Sequence, residues 1–221
     1  MISTTPSHTQ MLDAIEHLPP GGVLSFEDVS WSDYEKLVDA MGNHGGVRLS
    51  YDSGRLEIMS PSDWHDYYKS LLGRLVDILA EELELECAAF GSATFKKEEA
   101  AKGTEPGECF YITNVKRVIG KPGLDLDRDP PPDLAIEVDM SHQSTIKFPI
   151  YAALGVPEIW RYRKGKIYFY RLSGQDYLEI QASDLFPFLT PQALAGFLNQ
   201  DYIQGFNDVK RRFRKWVQEN K

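Results

Sequence analysis

The amino-acid sequence predicts an α/β (α+β) domain in which a mixed sheet is flanked by helices. One long segment carries apolar residues at helical spacing, and several short segments alternate apolar and polar residues as strands do. These segments follow one another in the order helix, strands, helix, strands, with no internal repeat between them. At 221 residues the chain is long enough for one sizeable domain.

The first part of the chain predicts a leader, a strand and a helix. Residues 1–22 are polar and end in a Pro-Pro-Gly-Gly run, so we expect a partly ordered leader with one helical turn. A strand is predicted from Val23 to Phe26. Either Ser30 or Ser32 is placed to cap a helix that runs to about Met41.

A hairpin and the clearest helix of the chain come next. Gly45-Gly46 leads into a strand over Val47–Tyr51, and an Asp-Ser-Gly turn leads to a return strand over Arg55–Met59. The helix is predicted from Asp63 to about Leu83. Its apolar stripe at helical spacing consists of Leu71, Leu72, Leu75, Ile78, Leu79 and Leu83.

The second half is predicted to be richer in strands. The predicted strands are Leu85–Phe90, Glu108–Ile112, Asp133–Met140, Ile159–Tyr162, Lys166–Arg171 and Tyr177–Ile180. Between them we expect a polar surface loop over residues 95–107, a Pro/Gly/Asp-rich connection over residues 120–132 and a helix from about Ser144 to Leu154. Gly155 fits the end of that helix. The chain ends in a helical segment over residues 201–221.

The most informative segment is the strand that follows three prolines at 130–132. With the two-residue period of a strand, Leu134, Ile136, Val138 and Met140 share one face. The other face carries Asp133, Ala135, Glu137 and Asp139. Carboxylates that lie close together repel one another unless they are solvated, protonated or neutralised by a cation. A hard divalent ion such as Mg²⁺ suits oxygen ligands, so this face predicts the floor of a metal site.

The rise of a strand decides which of these acids act together. At about 3.3 Å per residue, Glu137 and Asp139 lie about 6.6 Å apart and are able to flank one ion. Asp133 and Glu137 lie about 13 Å apart, too far to share an ion unless the strand bulges. Glu137 is therefore the central candidate and Asp139 its neighbour. For Asp133, a role in the turn that enters the strand competes equally with metal binding.

Composition and charge limit the classes of function. The net charge of −9 argues against a protein that coats nucleic acid by charge alone, although an enzyme with an acidic metal site is compatible with it. No apolar run reaches the ~18 residues of a membrane helix. Two cysteines build neither a disulfide framework nor a zinc cage, which favours the cytoplasm. The histidines show no zinc-type spacing; they are His8, His17, His44, His65 and His142.

Lys147 lies ten residues after Glu137, near the start of the following helix. An amine close to a metal site is able to orient an attacking water and to stabilise charge that develops on a phosphate. A solvated lysine in a first helical turn is the competing interpretation, and it is the commoner one for a lone lysine.

Several of these residues together resemble a known family. The run from Pro132 to Val138, then Lys147 and Tyr151, and then Gly-Val-Pro-Glu-Ile-Trp over residues 155–160, are similar to the signature of the bacterial Uma-two family. Its members are restriction endonuclease-like proteins of the PD-(D/E)XK nuclease superfamily. The resemblance extends more loosely over residues 24–189, including His65 and the earlier acidic segment at Glu108.

The resemblance implies a restriction-endonuclease-like fold for a single domain over residues 23–200. It also implies a DNA endonuclease that depends on Mg²⁺, with Mn²⁺ as an alternative. Glu108 and Glu137 would hold the metal beside Asp139, and Lys147 would position the water. His65 and Asp133 are further catalytic candidates, and for His65 a polar residue at a helix entry is the equal alternative.

Two departures from the superfamily pattern keep a second hypothesis open. Glutamate occupies position 108, where aspartate is usual, and Asp139 occupies the place of the superfamily lysine. A catalytically silent protein of the same fold, which binds nucleic acid or a protein partner, is therefore the alternative to the nuclease. A homodimer is compatible with cutting both strands.

The basic residues that are candidates for contact with a DNA backbone form three clusters. They are Lys96, Lys97 and Lys102; Arg161, Arg163, Lys164 and Lys166; and Lys210, Arg211, Arg212, Arg214 and Lys215. Such runs are more often solvated faces than phosphate contacts. The last cluster lies in the C-terminal segment, which we expect to pack on the domain or on a partner.

Overall fold

The computed structural model describes residues 8–42, 46–121, 123–140, 143–199 and 205–221. The strands are β1 Val23–Phe26, β2 Arg48–Asp52, β3 Arg55–Met59, β4 Ala88–Ala89, β5 Phe95–Lys97, β6 Lys102–Thr104, β7 Glu108–Tyr111, β8 Leu134–Asp139, β9 Glu158–Arg163, β10 Lys166–Ser173 and β11 Asp176–Ile180. The helices are α1 His8–Glu16, α2 Trp31–Met41, α3 Asp63–Glu82, α4 Phe148–Leu154, α5 Pro191–Leu198 and α6 Phe206–Asn220.

The strands form two sheets, where the sequence predicted one. The first sheet has the order β1-β3-β2-β6-β5 and is antiparallel throughout. The second has the order β11-β10-β9-β8-β7-β4. In this sheet β8 and β9 are parallel while the other neighbours are antiparallel, so it is a mixed sheet as predicted. The α/β class with flanking helices is confirmed.

The mixed sheet is covered on one face by α3 and α6. Ser62 begins α3 by accepting a hydrogen bond from the His65 amide, and the apolar stripe of the helix is buried except for Leu83, which is partly buried at its end. It packs against Ile136 and Val138 of β8. The apolar face of α6 joins the same core, and Arg214 of α6 bridges to Glu81 and Glu82 at the end of α3.

The other face of the mixed sheet is covered by α4. A short 3₁₀ helix over Ser144–Lys147 leads into α4, which ends at Gly155 in the left-handed conformation (φ 82°). The predicted helix from Ser144 to Leu154 is thus divided into a 3₁₀ turn and an α-helix. Ile150, Tyr151 and Leu154 of α4 pack with Ala135 and Ile159 in a second core.

Two segments are more ordered than the sequence predicted. In place of one helical turn in the leader, α1 spans two and a half turns, because Met11 is fully buried against the first sheet and α2. The predicted surface loop over residues 95–107 contains β5 and β6. Phe95 is buried there, and the Thr104 hydroxyl is hydrogen-bonded to Ser50 of β2 at 3.0 Å.

Other boundaries differ by smaller amounts. The predicted strand over residues 85–90 is reduced to β4, which pairs with β7 at the edge of the sheet. Ser30, and not Ser32, caps α2. Residues 1–7 of the predicted leader, His44 and Gly45, His142 and residues 201–204 of the C-terminal segment lie outside the described residues. Across the described ranges, no helix combines the length and apolarity needed to cross a membrane.

Candidate active site

Glu137 is the centre of the candidate site, and it lies in the middle of β8. The sequence predicted that the acidic face of this strand is the floor of a metal site, and all six residues of β8 are buried. Both faces are covered because α3 packs on one and α4 on the other. Glu137 is 2% exposed. A carboxylate at this depth needs hydrogen-bond donors or a cation beside it.

Lys147 and Tyr151 supply those donors. The Lys147 ammonium lies 3.1 and 3.2 Å from the two carboxylate oxygens of Glu137, and it also donates to the Glu105 carbonyl at 3.3 Å. The Tyr151 hydroxyl donates a short hydrogen bond to Glu137 Oε1. Burial, together with the adjacent Glu137, raises the pKa of Tyr151 well above its usual range, so the phenol stays a donor. The competing interpretation of a solvated Lys147 is wrong, since its side chain is buried.

A cavity of about 30 Å³ opens beside this cluster, enough for one or two waters or an ion. It is lined by Gly21, Met59, Ser60, Ser62, His65, Glu137, Val138, Asp139, Met140, Ser144 and Lys147. Two buried polar atoms of this lining, His65 Nε2 and Ser144 Oγ, have no hydrogen-bond partner among the described residues. A buried polar atom without a partner costs free energy, so the lining is arranged to meet a polar ligand.

His65 presents a neutral imidazole to this cavity. Burial lowers the pKa of His65, and the charges of Glu137 and Asp66 only partly oppose that effect. The ring Nδ1 lies 3.4 Å from Asp66 Oδ1. If Nδ1 carries the proton toward Asp66, Nε2 is a buried acceptor in a ring that lines the cavity. The structure therefore brings His65, Glu137 and Lys147 together around one cavity.

The Ser144→Ala substitution tests whether the buried Ser144 hydroxyl lacks a hydrogen-bond partner, as it does among the described residues. We expect the substitution to leave the free energy of unfolding unchanged or slightly higher, because a buried hydroxyl without a partner contributes no stability. Urea unfolding measures the effect. Ser183→Ala is the matched control: its hydroxyl, equally buried, donates to Glu158 at 2.7 Å and accepts from the Phe186 amide. That variant should lose about 1–3 kcal/mol. An equal loss in both would contradict the assignment.

Asp139 also lines the cavity, and its carboxylate forms an ion pair with Arg161. Its Oδ2 accepts from Arg161 Nε at 2.7 Å and from Arg161 Nη2, and its Oδ1 accepts from the Ser144 amide at 2.9 Å. Both side chains of the pair are buried. Arg161 was one of the cations considered for DNA contact, and the structure buries it instead.

Asp133 lies apart from the cavity and organises the turn before β8. Its carboxylate accepts hydrogen bonds from the Ile112 amide at 2.7 Å and from the Asn114 amide and side chain at 3.1 and 2.9 Å. These contacts are those of an acid in the turn that enters the strand, the alternative that the sequence left open. The structure does not bring Asp133 to Glu137.

Glu108 likewise lies away from Glu137. It pairs with Ile136 in the β7–β8 register, and residues paired across two strands share a face, whereas Ile136 and Glu137 point to opposite faces. The Glu108 carboxylate approaches Lys69 of α3 at 4.0 Å. Burial raises the pKa of Glu108, which Lys69 partly offsets. The pair of acids expected to hold a metal is thus divided between the two sides of the sheet.

The donors around the cavity restrict the kind of metal site that is possible. Across the described residues, no three His, Cys, Asp or Glu side chains converge as a metal cage. Glu137 and Asp139 do line one cavity, together with the unpartnered Ser144 hydroxyl. Mg²⁺ is commonly bound by one or two carboxylates and completed by waters and substrate phosphates. The donor set fits such an ion and does not fit a protein-only cage.

Two residues that contribute to this site were not predicted as site residues from the sequence. Ser144 lines the cavity, and Arg161 holds the carboxylate of Asp139. Neither has a sequence signal of its own, because a lone serine and an arginine in a basic hairpin are common on surfaces. Tyr151 entered the sequence analysis only as one of the residues that resemble the family signature.

Comparison with known proteins identifies a family for this chain. The family model that matches the chain is Uma2, "Putative restriction endonuclease", over residues 31–199. Among solved structures, the chain is similar to a protein from Anabaena variabilis ATCC 29413 described as "a putative nuclease belonging to DUF820". The identity is 16% and the TM-score 0.48, and the match covers 67% of this chain and 89% of that chain. No curated protein matches the chain.

Proposed function

The chain belongs to the Uma2 family, whose model matches residues 31–199, and from this premise we propose that it is a DNA endonuclease that depends on Mg²⁺ or Mn²⁺. The observation that carries the proposal is the buried cluster of Glu137, Lys147 and Tyr151 beside a cavity that His65 also lines. Perturbed and paired ionisable groups around a cavity are typical of active sites.

Glu137 and Asp139 are the carboxylates that would hold the ion, with the Ser144 hydroxyl beside them. When bound, the ion polarises a phosphate oxygen and lowers the pKa of a water. The contacts with Lys147 and Arg161 hold both carboxylates in place in the absence of an ion. These side chains are therefore organised before substrate arrives, which reduces the ordering that the reaction requires.

In this proposal, His65 is the residue that accepts the proton. Its ring lines the cavity, and its lowered pKa favours the neutral form, so the ring is able to accept a proton from a water there. Lys147 donates to Glu137 and to the Glu105 carbonyl. An ammonium at this position also stabilises negative charge that develops on the phosphate. Tyr151 holds Glu137 in place and does not titrate near neutral pH.

The proposal is tested by nicking of supercoiled plasmid with Mg²⁺ or Mn²⁺. We expect metal-dependent cutting that Glu137→Gln and Lys147→Met each reduce by at least about 100-fold, the scale of a lost charge-stabilising or proton-transferring group. Glu179→Gln and Lys116→Met, at exposed positions, are the matched controls and should cut like the parent. Absence of cutting by folded protein with either ion would overturn the proposal.

A catalytically silent protein of this fold is the second candidate. The specific observation in its favour is that both carboxylates of the cavity are already paired with cations. Such a protein would bind nucleic acid without metal-dependent cutting, so the plasmid assay separates the two candidates. For the nuclease, we also propose a cytoplasmic location and a homodimer, since cutting both strands favours two sites.

A further inference from the structure

The hairpin that joins β9 to β10 carries three basic side chains, the hairpin cations Arg163, Lys164 and Lys166. Arg163 is partly buried, and the two lysines are exposed. The turn residues Lys164 and Gly165 both have a positive φ (48° and 78°), as a tight two-residue hairpin requires. Asn199, at the end of α5, donates to the Gly165 carbonyl at 3.0 Å. The hairpin cations therefore lie on an element whose turn is held in place.

The strand register places Arg163 beside the candidate site. Arg163 is paired with Asp139, which lines the cavity, in the parallel β8–β9 ladder. Neighbouring strands lie about 4.8 Å apart, and paired residues project from the same face of a sheet. Lys166 is the partner of Arg163 in the β9–β10 ladder, so Asp139, Arg163 and Lys166 form one row across the sheet. An anion bound by this row would lie next to the cavity.

The carboxylate in this row is committed to another cation. Asp139 Oδ2 accepts from two nitrogens of Arg161, which lies two residues before Arg163 in β9, and Oδ1 accepts from the Ser144 amide. Among the described residues, no acidic side chain forms an ion pair with a hairpin cation. Like charges directly opposite one another in a strand pair are destabilising. Arg163 and Lys166 are such a pair, and an anionic ligand between them would offset the repulsion.

The other two basic clusters are largely engaged by acids of the protein itself. Ion pairs involve most of their cations, namely Lys96, Lys102, Arg211, Arg212, Arg214 and Lys215. The net charge of the chain is −9, so attraction of DNA requires a local basic site. Neutralisation of phosphates by lysine and arginine supplies much of the affinity for DNA. By position and by charge, the hairpin is the cluster that suits this contact.

We propose that the hairpin cations bind a phosphate of the DNA backbone next to the one that enters the cavity. The inference rests on the proposed function, because it assigns a substrate-binding surface to that same site. The planar guanidinium of Arg163 is able to bind two phosphate oxygens at once, whereas Lys164 and Lys166 act as point charges. Contacts of this kind position the backbone and read no base. The hairpin therefore sets which phosphate enters the cavity and does not select a sequence.

Binding measured without divalent metal tests this surface separately from catalysis. The probe is a fluorescently labelled duplex of about 20 base pairs in EDTA, and anisotropy gives its affinity at salt concentrations between about 50 and 200 mM. For the double variant Arg163→Gln with Lys166→Gln, we expect the slope of log affinity against log salt to become less steep by about 2. Affinity at the lowest salt should fall by at least about tenfold. Arg163→Lys keeps the charge and should retain most of the slope.

Lys116→Gln with Arg117→Gln is the matched control, because it removes the same charge at exposed positions. Both residues follow β7, whose Phe110 pairs with Leu134 at the start of β8. They therefore lie at the end of the sheet opposite the cavity, and this variant should bind DNA like the parent. Urea unfolding checks that the hairpin variant is folded. Its midpoint should be no lower than that of the parent, since two opposed cations have been removed.

The outcomes for the hairpin and for the endonuclease are distinguishable. Equal changes in the two double variants, or no binding of the duplex by the parent in EDTA, would overturn the inference. Cutting by the parent that the hairpin variant retains in full would also overturn it and leave the endonuclease proposal intact. A loss of binding confined to the hairpin variant, in a protein that does not cut plasmid, would support this inference while the endonuclease proposal fails.

Discussion

Replacing Glu137 by alanine is expected to lower the free energy of unfolding by about 3–5 kcal/mol, the range for a buried ion pair that loses one partner. The Lys147 side chain is as buried as the carboxylate it faces. The alanine variant leaves that ammonium without a counterion and the Tyr151 hydroxyl without its acceptor. Urea unfolding followed by circular dichroism, in metal-free buffer, measures the loss.

A double variant distinguishes the cost of losing the Glu137 carboxylate from the cost of burying the Lys147 ammonium without a counterion. Glu137→Leu with Lys147→Met removes both charges, and it should recover most of the lost stability, because apolar residues of similar volume often replace a buried pair at little cost. Glu179→Ala, at an exposed position, should change stability by less than about 0.5 kcal/mol. A gain in stability for Glu137→Ala would mean that repulsion between Glu137 and Asp139 outweighs the contacts described above.

Asp139→Ala is expected to cost a similar amount, about 3–5 kcal/mol, for a different reason. Asp139 neutralises the buried Arg161 and accepts from the Ser144 amide. Without the Asp139 carboxylate, the buried Arg161 guanidinium loses its counterion and the Ser144 amide loses its hydrogen-bond acceptor. If Asp139 acted only as a metal ligand, its removal would leave the stability of the metal-free protein unchanged, and chemical unfolding distinguishes the two.

The control for this prediction is an ion pair at the surface. Arg171 and Asp184 lie 3.3 Å apart with both side chains about half exposed, so Asp184→Ala should cost no more than about 1 kcal/mol. The double variant Asp139→Leu with Arg161→Met should have a considerably higher free energy of unfolding than Asp139→Ala, because it buries no unpaired charge. An equal loss in the single and double variants would show that packing, and not charge, sets the cost.

The ion pairs Glu137–Lys147 and Asp139–Arg161 explain how β8 is able to carry carboxylates on a buried face. The sequence favoured neutralisation of these acids by a divalent metal ion, and the structure places two cations of the protein itself beside them. Lys147 comes from the turn before α4, and Arg161 comes from the parallel neighbour β9. The −9 net charge is thus compatible with a site in which each buried carboxylate is individually paired.

Local sequence determined the elements whose signals lie within a few residues. The Ser62 cap and the leucine stripe specify α3, the alternation after the three prolines specifies β8, and Gly155 ends α4 where a left-handed residue is required. The spacing of Glu137, Lys147, Tyr151 and the Gly-Val-Pro-Glu run also identified the family. Each of these signals depends on backbone geometry that repeats along one segment.

Tertiary structure decided what depends on pairing between distant segments. The β7–β8 register turns Glu108 away from Glu137, and a shift of one residue would reverse that orientation without any change in local pattern. The strands β5 and β6 form because β2 offers an edge to β6, so a polar segment without strong strand propensity becomes ordered. Whether an acid such as Asp139 faces water, a metal or a buried arginine depends on which segment packs over it, and no periodicity in the sequence encodes that.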